Sequence, residues 1–441
     1  MTTNDLSARF RSHDATVCIV GLGYVGLPLV REFVAAGFRV LGYDIDAAKT
    51  DMLNRGDSYL MSIPAEMTSG WRATGRFEAT TDPARLAEPD AILICVPTPL
   101  TRTREPEMRY VRETAETIGK HLRAGQLVVL ESTTWPGTTA ELVQPRLEAL
   151  SKLKTGTDYL LAFSPEREDP GSRTHTTKTI PKVVGADDAT SLEAACALYE
   201  QIIPKVVAVS GSRPAEATKL LENIFRAVNI AMVNELKMIF DRMGIDVWEV
   251  IEAAKSKPFG YMPFYPGPGL GGHCIPIDPF YLTWKAREFD FATRFIELAG
   301  EINTQMPRYV VTRVMDALND RGRALKGAKV LMLGAAYKKD VDDARESPSL
   351  ELFELLEARG AEVSYYDPYV PRLSHFRNYP GLEKQSLPEL SEAVLAGADA
   401  VLIVTDHTSI DYARVLRHAS LVVDTRNACA GLSGTATVVK A

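Results

Sequence analysis

The stretch Thr16-Val17-Cys18-Ile19-Val20-Gly21-Leu22-Gly23-Tyr24-Val25-Gly26 decides the fold of the first part of this chain. Its first five residues are an apolar run typical of a buried strand, and a turn of the form Gly-x-Gly-x-x-Gly follows directly. An amphipathic stretch then continues to Gly37, and residues 38–43 are predicted as a second strand, which is followed by Asp44. The order of strand, glycine turn, helix, strand and acidic residue predicts a βαβ unit that binds a dinucleotide.

The acidic residue after the second predicted strand also indicates which dinucleotide is bound. In such a unit the pyrophosphate lies at the helix N-terminus, where free backbone N–H groups and the helix dipole favour anions. Asp44 is then expected to accept a hydrogen bond from a ribose 2′-hydroxyl and to repel a 2′-phosphate. We therefore expect NAD rather than NADP as the cofactor.

Two further predicted strands, residues 91–96 and 127–130, each run into a threonine-containing loop. Ligands of open α/β sheets bind just beyond the carboxyl ends of the strands, so Thr98 and Thr133 are expected to contact the dinucleotide. The alternative is that each hydroxyl only caps a helix or closes a turn. Residues 159–163 and 182–184 are predicted as additional strands.

The C-terminal part repeats the layout of the N-terminal part, and a helical segment separates them. Four strands are predicted there, at residues 329–334, 361–366, 400–405 and 421–424, and the second of them ends at Asp367. Residues 215–254 show helical periodicity, with an apolar face at Leu220, Ile224, Val228, Met232, Leu236 and Ile239. We predict an α/β protein in which two Rossmann-like doubly wound domains, residues 1–210 and 319–441, are joined by a central helical region, residues 211–318.

The amino-acid composition excludes several classes of protein and of binding site. The 441 residues are 46% hydrophobic and 24% charged, which is typical of a globular protein of two or three domains. A net charge of −7 gives no electrostatic footprint for nucleic acid or an anionic membrane, and the polar start with no long apolar run predicts a cytoplasmic protein. The five cysteines lack the spacing of a disulfide framework or a zinc site, so no metal is expected.

One cysteine stands in the glycine-rich run Gly267-Pro268-Gly269-Leu270-Gly271-Gly272-His273-Cys274-Ile275-Pro276-Ile277-Asp278-Pro279. Glycines let the backbone approach a ligand, and the prolines stiffen the loop, so the segment suits a thiol nucleophile. The alternative for a single cysteine is a buried side chain in a packed loop. Neighbouring side chains usually diverge, so His273 is not expected to be the base for Cys274.

A group of polar residues in the central helical segment has a spacing that suits oxyanion stabilisation. Lys219 and Asn223 are four residues apart and share one helix face, with Arg226 close to the same line. The apolar residues Leu220, Leu221, Ile224 and Phe225 are expected to enclose them. Together with Cys274 and Asp278, this pattern suggests a covalent oxidation through a thiol adduct and a thioester.

These motifs together resemble the nucleotide-sugar 6-dehydrogenases, the family that contains UDP-glucose, GDP-mannose and UDP-N-acetylhexosamine dehydrogenases. The resemblance covers nearly the whole chain. Besides the glycine turn through Pro28 and the cysteine loop, its motifs are Val96-Pro97-Thr98-Pro99, Glu131-Ser132-Thr133-Thr134, Ser164-Pro165-Glu166-Arg167, the segment from Lys219 to Asn223, and Lys338-Lys339-Asp340 through Arg345-Glu346-Ser347-Pro348.

The resemblance implies a role for each matching residue in a four-electron oxidation of a sugar C6 alcohol, with two NAD⁺ and one water consumed. Cys274 is the implied nucleophile, Lys219 and Asn223 stabilise the oxyanion, and Glu166 promotes thioester hydrolysis. Asp278 and Thr133 hold the catalytic water. The implied NAD contacts are Gly21, Gly23, Tyr24, Val25, Asp44, Lys49, Thr98, Thr133 and Arg345. The implied UDP-sugar contacts are Glu166, Arg167, Lys219, Asn223, Arg226, Gly271, Lys338 and Lys339.

Two departures from the UDP-glucose enzymes bear on the substrate. Those enzymes have Asn-Pro-Glu-Phe-Leu where this chain has Ser164-Pro165-Glu166-Arg167-Glu168, and this chain has Pro170 in place of their second glutamate. They also have Arg-Ile-Gly near Pro258-Phe259-Gly260. Both changes resemble the N-acetylhexosamine branch, so UDP-GlcNAc is the first expectation, followed by UDP-ManNAc, UDP-GalNAc and UDP-glucose. Family members are usually dimers through the central helices.

Two other functions remain open from the sequence. A two-electron dehydrogenase of the 3-hydroxyacid type shares the Rossmann domain and a Lys/Asn pair, but it needs no cysteine and no second nucleotide-binding domain. A catalytically silent protein that binds NAD or a nucleotide sugar needs neither the nucleophile nor the oxyanion pair.

Overall fold

The computed structural model describes residues 3–101, 103–168, 177–272 and 275–441. Its chain forms two compact units: Met1–Glu222 with Phe280–Phe291, and Asn223–Pro279 with Ala292–Ala441. Three residues singled out in the sequence, Pro170, His273 and Cys274, lie outside the described residues. The division into three domains at residues 210 and 318 stays a prediction.

In its described part, the first unit is built on one eight-stranded sheet. The strands are β1 (Thr16–Val20), β2 (Arg39–Tyr43), β3 (Phe77–Thr80), β4 (Ala91–Ile94), β5 (Leu127–Leu130), β6 (Leu160–Phe163), β7 (Lys182–Gly185) and β8 (Val206–Val209). Their spatial order is β3-β2-β1-β4-β5-β6-β7-β8, and β6 pairs antiparallel with β7 while the other neighbours are parallel. The order reverses between β1 and β4, which is where open α/β sheets bind their ligands.

Helices and short turns connect these strands. The helices are α1 (Thr3–Arg11), α2 (Gly26–Ala36), α3 (Ala47–Arg55), α4 (Ala65–Ala73), α5 (Arg109–His121), α6 (Gln144–Ser151) and α7 (Ala189–Tyr199). A π-helical turn, Thr139–Val143, leads into α6, and Pro83–Ala87 is a 3₁₀ turn. Gly37 ends α2 in the left-handed conformation, as expected for a glycine after a helix.

The second unit has its own parallel sheet. Its strands are β9 (Lys329–Leu333), β10 (Glu362–Tyr366), β11 (Arg372–Leu373), β12 (Lys384–Gln385), β13 (Ala400–Ile403), β14 (Leu421–Asp424) and β15 (Thr437–Lys440). Five of the described strands form the sheet β10-β9-β13-β14-β15, and β11 and β12 form a separate antiparallel pair. The helices after β8 in sequence are α8 (Ser212–Met243), α9 (Val247–Lys255), α10 (Asp278–Ala286), α11 (Arg294–Asn319), α12 (Pro348–Ala358), α13 (Glu392–Gly397) and α14 (Tyr412–His418), with a 3₁₀ turn at Arg287–Phe289. The start of α8, most of α10 and the 3₁₀ turn belong to the first unit.

The predicted fold class is confirmed. Each predicted strand is present, with ends that differ by at most two residues from those expected. Strands β1, β4 and β5 are almost wholly buried, because helices of parallel α/β sheets cover both faces and the strands therefore read as continuous apolar runs. None of the helices in the described ranges is long and apolar enough to cross a membrane.

The apolar face predicted on α8 is only partly buried. Leu220 is buried, whereas Met232 and Ile239 are each 45% exposed. The buried stripe contains small side chains such as Ala227, and Asn303 of α11 donates a hydrogen bond to the Ala227 carbonyl at 3.0 Å. Apolar periodicity identified the helix correctly but not its buried face, because small residues let two helices approach closely.

Candidate active site

The glycine turn after β1 is shaped by three glycines with different surroundings. Gly21 has φ +94°, and a Cβ there would lie 2.5 Å from the Cys95 carbonyl oxygen. A Cβ on Gly26 would collide with the Gly21 carbonyl, so this position fixes the packing of α2 on the turn. At Gly23, no described atom beyond the residue and its two chain neighbours lies within 4 Å of an added Cβ. The open space at Gly23, beside the first turn of α2, fits the close approach of a diphosphate.

Asp44 lies at the carboxyl end of β2 and connects to the glycine turn. One carboxylate oxygen accepts a hydrogen bond from Leu22 N at 2.9 Å, and the other accepts from Asp46 N at 3.0 Å. The Lys49 ammonium is 3.8 Å from the first of these oxygens. Because a carboxylate has about four acceptor positions, Asp44 retains capacity for a ribose hydroxyl.

A tyrosine that the sequence did not single out supports the same turn. The Tyr59 hydroxyl donates a hydrogen bond to the Leu22 carbonyl, and the Lys49 ammonium lies 6.0 Å from the Tyr59 ring centre. Burial raises the pKa of Tyr59, so this hydroxyl stays a donor at neutral pH. Tyr24 and Val25 are half-buried and pack against the core of the first unit.

The two threonine loops lie next to each other. Strands β4 and β5 are paired at Ile94 and Leu130, so their loops leave the same edge of the sheet. The Ser132 hydroxyl donates to the Val96 carbonyl at 2.8 Å and thereby joins the loops that carry Thr98 and Thr133. Both threonines are half-buried.

A buried carboxylate on α8 anchors the loop that follows Thr133. Glu216 accepts hydrogen bonds from Gly137 N at 2.5 Å, from Thr139 N at 2.8 Å and from the Thr139 hydroxyl at 2.7 Å. Burial raises the pKa of Glu216 to about 7 despite these bonds. Lys219 lies one turn further along α8, so Glu216 fixes the start of this helix against the loop. The sequence contained no signal for this contact, which spans 77 residues.

Glu166 lies in a buried cluster of charges within the first unit. Lys182 Nζ lies 2.5 Å from Glu131 Oε2 and 3.3 Å from Glu166 Oε2. Burial raises the pKa of Glu166, but Lys182, the backbone N–H groups of Glu168 and Arg167, and the Lys219 charge outweigh it, so the pKa lies below its usual value. Glu166 is therefore ionised, and Lys219 is close enough to influence it.

Arg167, next in sequence, is held by protein groups of the same unit. Its guanidinium pairs with the Glu222 carboxylate at 2.5 Å and donates to the Pro181 carbonyl at 2.6 Å. Arg167 N also donates to Glu166 Oε1 at 2.7 Å. These contacts place Arg167 beside Glu166.

The second unit brings together three predicted site residues. The Asn223 side-chain amide donates a hydrogen bond to Asp278 Oδ2, and Arg226 donates to the Asn223 amide oxygen. Asn223 and Asp278 are both buried, as is Lys219 one turn earlier on α8. An amide and a carboxylate that are 55 positions apart in sequence thus meet directly.

The predicted apolar enclosure of Lys219 and Asn223 is wrong for two of its four residues. Leu221 is 67% exposed and Phe225 is 46% exposed. Each follows a polar site residue by two positions, which is about 200° around a helix, so these side chains lie on the opposite face.

The glycines before Cys274 are tightly packed within the second unit. A Cβ on Gly271 would lie 2.8 Å from Tyr337 Cβ, and one on Gly272, which has φ +84°, would lie 3.0 Å from the Tyr337 ring. A Cβ on Gly267 would lie 2.5 Å from the Arg426 guanidinium. These glycines were predicted to make room for a ligand, and the structure shows that they also make room for neighbouring protein side chains.

The C-terminal basic residues lie in the loop after β9. Lys339 Nζ is 3.7 Å from the Asp406 carboxylate, and Arg345 makes two hydrogen bonds to Asp343 at 2.9 and 2.8 Å. Lys338 is half-buried and Lys339 is exposed. No cluster of His, Cys, Asp and Glu able to hold a metal ion is found among the described residues.

Comparison with known proteins identifies the family of this chain. Three models of the UDP-glucose/GDP-mannose dehydrogenase family match the chain: the NAD binding domain at residues 15–203, the central domain at 213–305 and the UDP binding domain at 331–431. The NAD cofactor expected from the glycine turn is thereby confirmed.

Individual relatives act on different sugars according to their names. The chain is 36% identical over 359 residues to the UDP-N-acetyl-D-glucosamine 6-dehydrogenase of Pseudomonas aeruginosa, which covers 81% of this chain and 83% of that protein. It is 34% identical over 423 residues to the NDP-N-acetyl-D-galactosaminuronic acid dehydrogenase of Ralstonia nicotianae, covering 93% and 95%. The solved UDP-D-ManNAc dehydrogenase from Pyrococcus horikoshii matches with a TM-score of 0.87 at 30% identity, covering 96% of this chain and 98% of that one. The chain therefore belongs to the UDP-glucose/GDP-mannose dehydrogenase family and is an NAD-dependent nucleotide-sugar dehydrogenase.

Proposed function

We propose that this enzyme oxidises the C6 hydroxymethyl group of a UDP-N-acetylhexosamine to a carboxylate, with UDP-GlcNAc as the first candidate. The observation that carries the proposal is the hydrogen bond between Asn223 and Asp278. It connects the polar face of α8 to a carboxylate four positions after Cys274. The amide and the carboxylate of the proposed mechanism are therefore in direct contact.

The proposed chemistry proceeds through a covalent bond to Cys274. The alcohol is first oxidised to an aldehyde, and the Cys274 thiolate then adds to the aldehyde carbon. Lys219 and Asn223 stabilise the oxyanion of this adduct. Loss of the carbon-bound hydrogen as hydride converts the adduct to a thioester. NAD, when bound, accepts the hydride in each of the two oxidations.

Water completes the reaction by attacking the thioester carbon. Asp278 and Thr133 hold the water, and Glu166 accepts one of its protons as the new C–O bond forms. The C–S bond then breaks, so the Cys274 thiolate is restored and the carboxylate is released. The ionised state of Glu166 supports this role, because only the deprotonated carboxylate accepts a proton.

The other residues of the proposed site bind the two ligands. Lys338 and Lys339 are proposed to pair with the UDP diphosphate, and Arg226 and Gly271 to contact the sugar nucleotide. Arg345 is proposed to lie near the NAD site. The match of residues 331–431 to a UDP binding domain supports the first assignment.

The choice of an N-acetylated sugar is supported by the motif after β6 and by the relatives. This chain has Arg167 and Glu168 where the UDP-glucose enzymes have Phe and Leu. Relatives named for N-acetylglucosamine, N-acetylgalactosaminuronic acid and N-acetylmannosamine all match over most of the chain.

The test is the number of NADH molecules formed per sugar, with limiting UDP-GlcNAc, UDP-ManNAc, UDP-GalNAc or UDP-glucose and excess NAD⁺. We expect two NADH per UDP-GlcNAc and little from UDP-glucose. Two NADH from one of the other sugars alone would support the four-electron mechanism and identify that sugar, rather than UDP-GlcNAc, as the substrate. One NADH per sugar would contradict the four-electron mechanism, and Cys274→Ala that retained full activity would favour the hydroxyacid type of dehydrogenase.

We also propose that the enzyme is a homodimer through its central helices. The exposed apolar side chains of α8, which are Leu221, Phe225, Met232, Ile239 and Met243, recur at intervals of four or seven residues. Such spacing forms a stripe along one side of a helix. A second copy of the chain would remove this stripe from water.

A further inference from the structure

Beneath Glu166, an ion pair that has no assigned role is buried in the first unit. Lys182 of β7 lies between the carboxylates of Glu131 and Glu166, and its side chain is 3% exposed. The Glu131 side chain is fully buried and that of Glu166 is 13% exposed. Glu166 is thus the member of the cluster that reaches the surface, and Lys182 lies behind it.

Both carboxylate oxygens of Glu166 accept hydrogen bonds. Oε1 accepts hydrogen bonds from Arg167 N at 2.7 Å and Glu168 N at 2.6 Å, and Oε2 accepts from Lys182 at 3.3 Å. Donors on both oxygens favour the ionised carboxylate and hold it in one orientation. Of these donors, only Lys182 brings a full positive charge.

Glu131 explains why a lysine is stable at this depth. Burial of an unpaired ammonium is costly, but Glu131 pairs with Lys182 at 2.5 Å, and the Lys182 ammonium lies 5.2 Å from the Tyr199 ring centre. The Tyr199 hydroxyl donates to the other Glu131 oxygen. Burial raises the pKa of Glu131 to about 7 against the opposing charge of Lys182, whereas the pKa of Glu166 lies below its usual value, so Glu166 is the more acidic of the two carboxyl groups.

We propose that Lys182 and Glu131 form a positioning pair that keeps the Glu166 carboxylate ionised and correctly oriented for thioester hydrolysis. The inference rests on the proposed function, because it assigns the pair to the last step of that reaction. In this step, water gives one proton to Glu166 while its oxygen bonds to the thioester carbon, and the C–S bond to Cys274 breaks. Neither Lys182 nor Glu131 contacts the substrate in this scheme.

The experiment separates thioester formation from its hydrolysis. Enzyme mixed with UDP-GlcNAc and NAD⁺, or with the UDP-sugar that the stoichiometry test selects, is followed by NADH absorbance, and acid-quenched samples are weighed by intact mass spectrometry. For Lys182→Met we expect a rapid burst of nearly two NADH per active site, then a steady rate lowered about tenfold or more. Protein carrying a sugar adduct on Cys274 should accumulate in the same samples.

The pH profile gives a readout that a purely structural role would not change. Without Lys182 the pKa of Glu166 should rise, so the acidic limb of the kcat profile should move to higher pH by about one unit or more. Lys182→Arg retains the cation and should restore most of the steady rate without moving this limb.

Two further variants test whether a folding defect, rather than loss of the pair, causes these effects. Lys182→Met combined with Glu131→Gln removes a cation and an anion together, so it avoids an unpaired buried charge at Glu131. We expect this double variant to fold and still to accumulate the adduct. Lys205→Met is the matched control, because Lys205 is exposed and its carbonyl accepts a hydrogen bond from Lys182 N at 2.9 Å. Its rate and pH profile should equal those of the wild type.

The outcomes distinguish this inference from the proposed function. A wild-type yield of two NADH, with a folded double variant that shows neither adduct nor a shifted acidic limb, would overturn the role of the pair alone. A wild-type yield of one NADH from every UDP-sugar would overturn the proposed function, and the role of the pair in hydrolysis with it.

Discussion

At the scale of single residues, the glycine turn shows that identical residues are present for different reasons. Gly21 is required by its positive φ and by a neighbouring carbonyl, whereas Gly23 adjoins open space. Gly21 is therefore needed for folding, whereas Gly23 is needed for binding the ligand. Both positions belong to the same motif and cannot be told apart by spacing.

Replacing each of these glycines by alanine should therefore give opposite results. Gly21→Ala should lower the free energy of unfolding by about 1–3 kcal/mol, because it combines backbone strain with a steric collision. Gly23→Ala should change stability by less than about 1 kcal/mol but raise the KM for NAD about tenfold or more, since its Cβ occupies the space of the diphosphate. Urea denaturation and initial rates measure the two effects. Equal losses of stability in both variants would contradict this division.

Lys219 offers a second test at this scale. It is buried on α8 and its charge lowers the pKa of Glu166, so we propose that it acts in the reaction rather than in cofactor binding. Lys219→Ala should lower kcat about 10²–10³-fold, as expected for loss of an oxyanion partner, and leave the Kd for NAD within about twofold.

The matched control for Lys219 is Arg213→Ala. Arg213 lies on the same helix, but its side chain is exposed and pairs with Glu141 at the surface. Its kcat should stay close to that of the wild type. An unchanged kcat for Lys219→Ala would refute the assigned role.

At the scale of elements, an aspartate follows the second strand of each Rossmann-like unit, but the two carboxylates have different hydrogen-bond partners. Asp367 accepts hydrogen bonds from Ala335 N and Ala336 N, and it also pairs with the fully buried His407. His407 Nδ1 accepts from Asp340 N at 2.9 Å, so its Nε2 carries the hydrogen and donates to Asp367 at 2.9 Å. Asp44 has no such histidine partner among the described contacts, which suits it to a ribose.

The long helix α8 carries a lysine, Lys237, whose ammonium group is buried. Lys237 is only 3% exposed, and its ammonium lies 5.4 Å from the Tyr309 ring centre. It borders a cavity of about 220 Å³ that is also lined by Asp241, Asp246 and Lys440. Burial lowers the pKa of Lys237 to about 8, with Asp241 opposing this and the Arg313 and Lys440 charges adding to it.

This lysine should make stability depend on pH in a defined direction. The unfolded chain keeps Lys237 protonated up to about pH 10.4, whereas the folded chain releases the proton near pH 8. The unfolded state therefore binds more protons between these values, so the free energy of unfolding rises with pH across this window. Below pH 8 both states are protonated and the cost of burial is fully present.

Lys237→Met should consequently stabilise the protein by about 1–3 kcal/mol at pH 7, with a smaller gain at pH 10. Urea midpoints at the two pH values measure the difference. Lys255→Met on helix α9, the next helix in sequence, is the control, because Lys255 is exposed and its partners Glu252 and Tyr265 lie at the surface. A gain that was equal at both pH values would show that better packing, rather than the removed charge, is its cause.

At the scale of the whole molecule, the exposed apolar stripe of α8 tests the proposed dimer. Wild-type protein should elute at twice the chain mass of 48.5 kDa in size-exclusion chromatography with light scattering. The pair Met232→Lys and Ile239→Lys should shift it to the monomer, because two ammonium groups would be buried in the interface. Met61→Lys, an exposed apolar position in the first unit, should leave the mass unchanged. A wild-type monomer would refute the dimer.

Much of the fold was predictable from the sequence, because strand and helix periods are local properties. The apolar runs before Gly21 and Gly334 identified the first strand of each main sheet, and Gly37 identified a helix end. The glycine turn and Asp44 predicted NAD for the same reason, since that motif lies within one βαβ unit. Spacing on one helix likewise predicted that Asn223 and Arg226 are neighbours.

Only the tertiary structure decided which distant residues meet and which faces are buried. Lys182 reads in sequence as an ordinary strand residue, yet it lies between Glu131 and Glu166, 51 and 16 positions away. Glu216 similarly anchors a loop 77 positions earlier. These contacts depend on strand order and on helix packing across the sheet, which no local pattern encodes. Burial of charge, and with it the ionisation of Glu166, follows from that long-range packing.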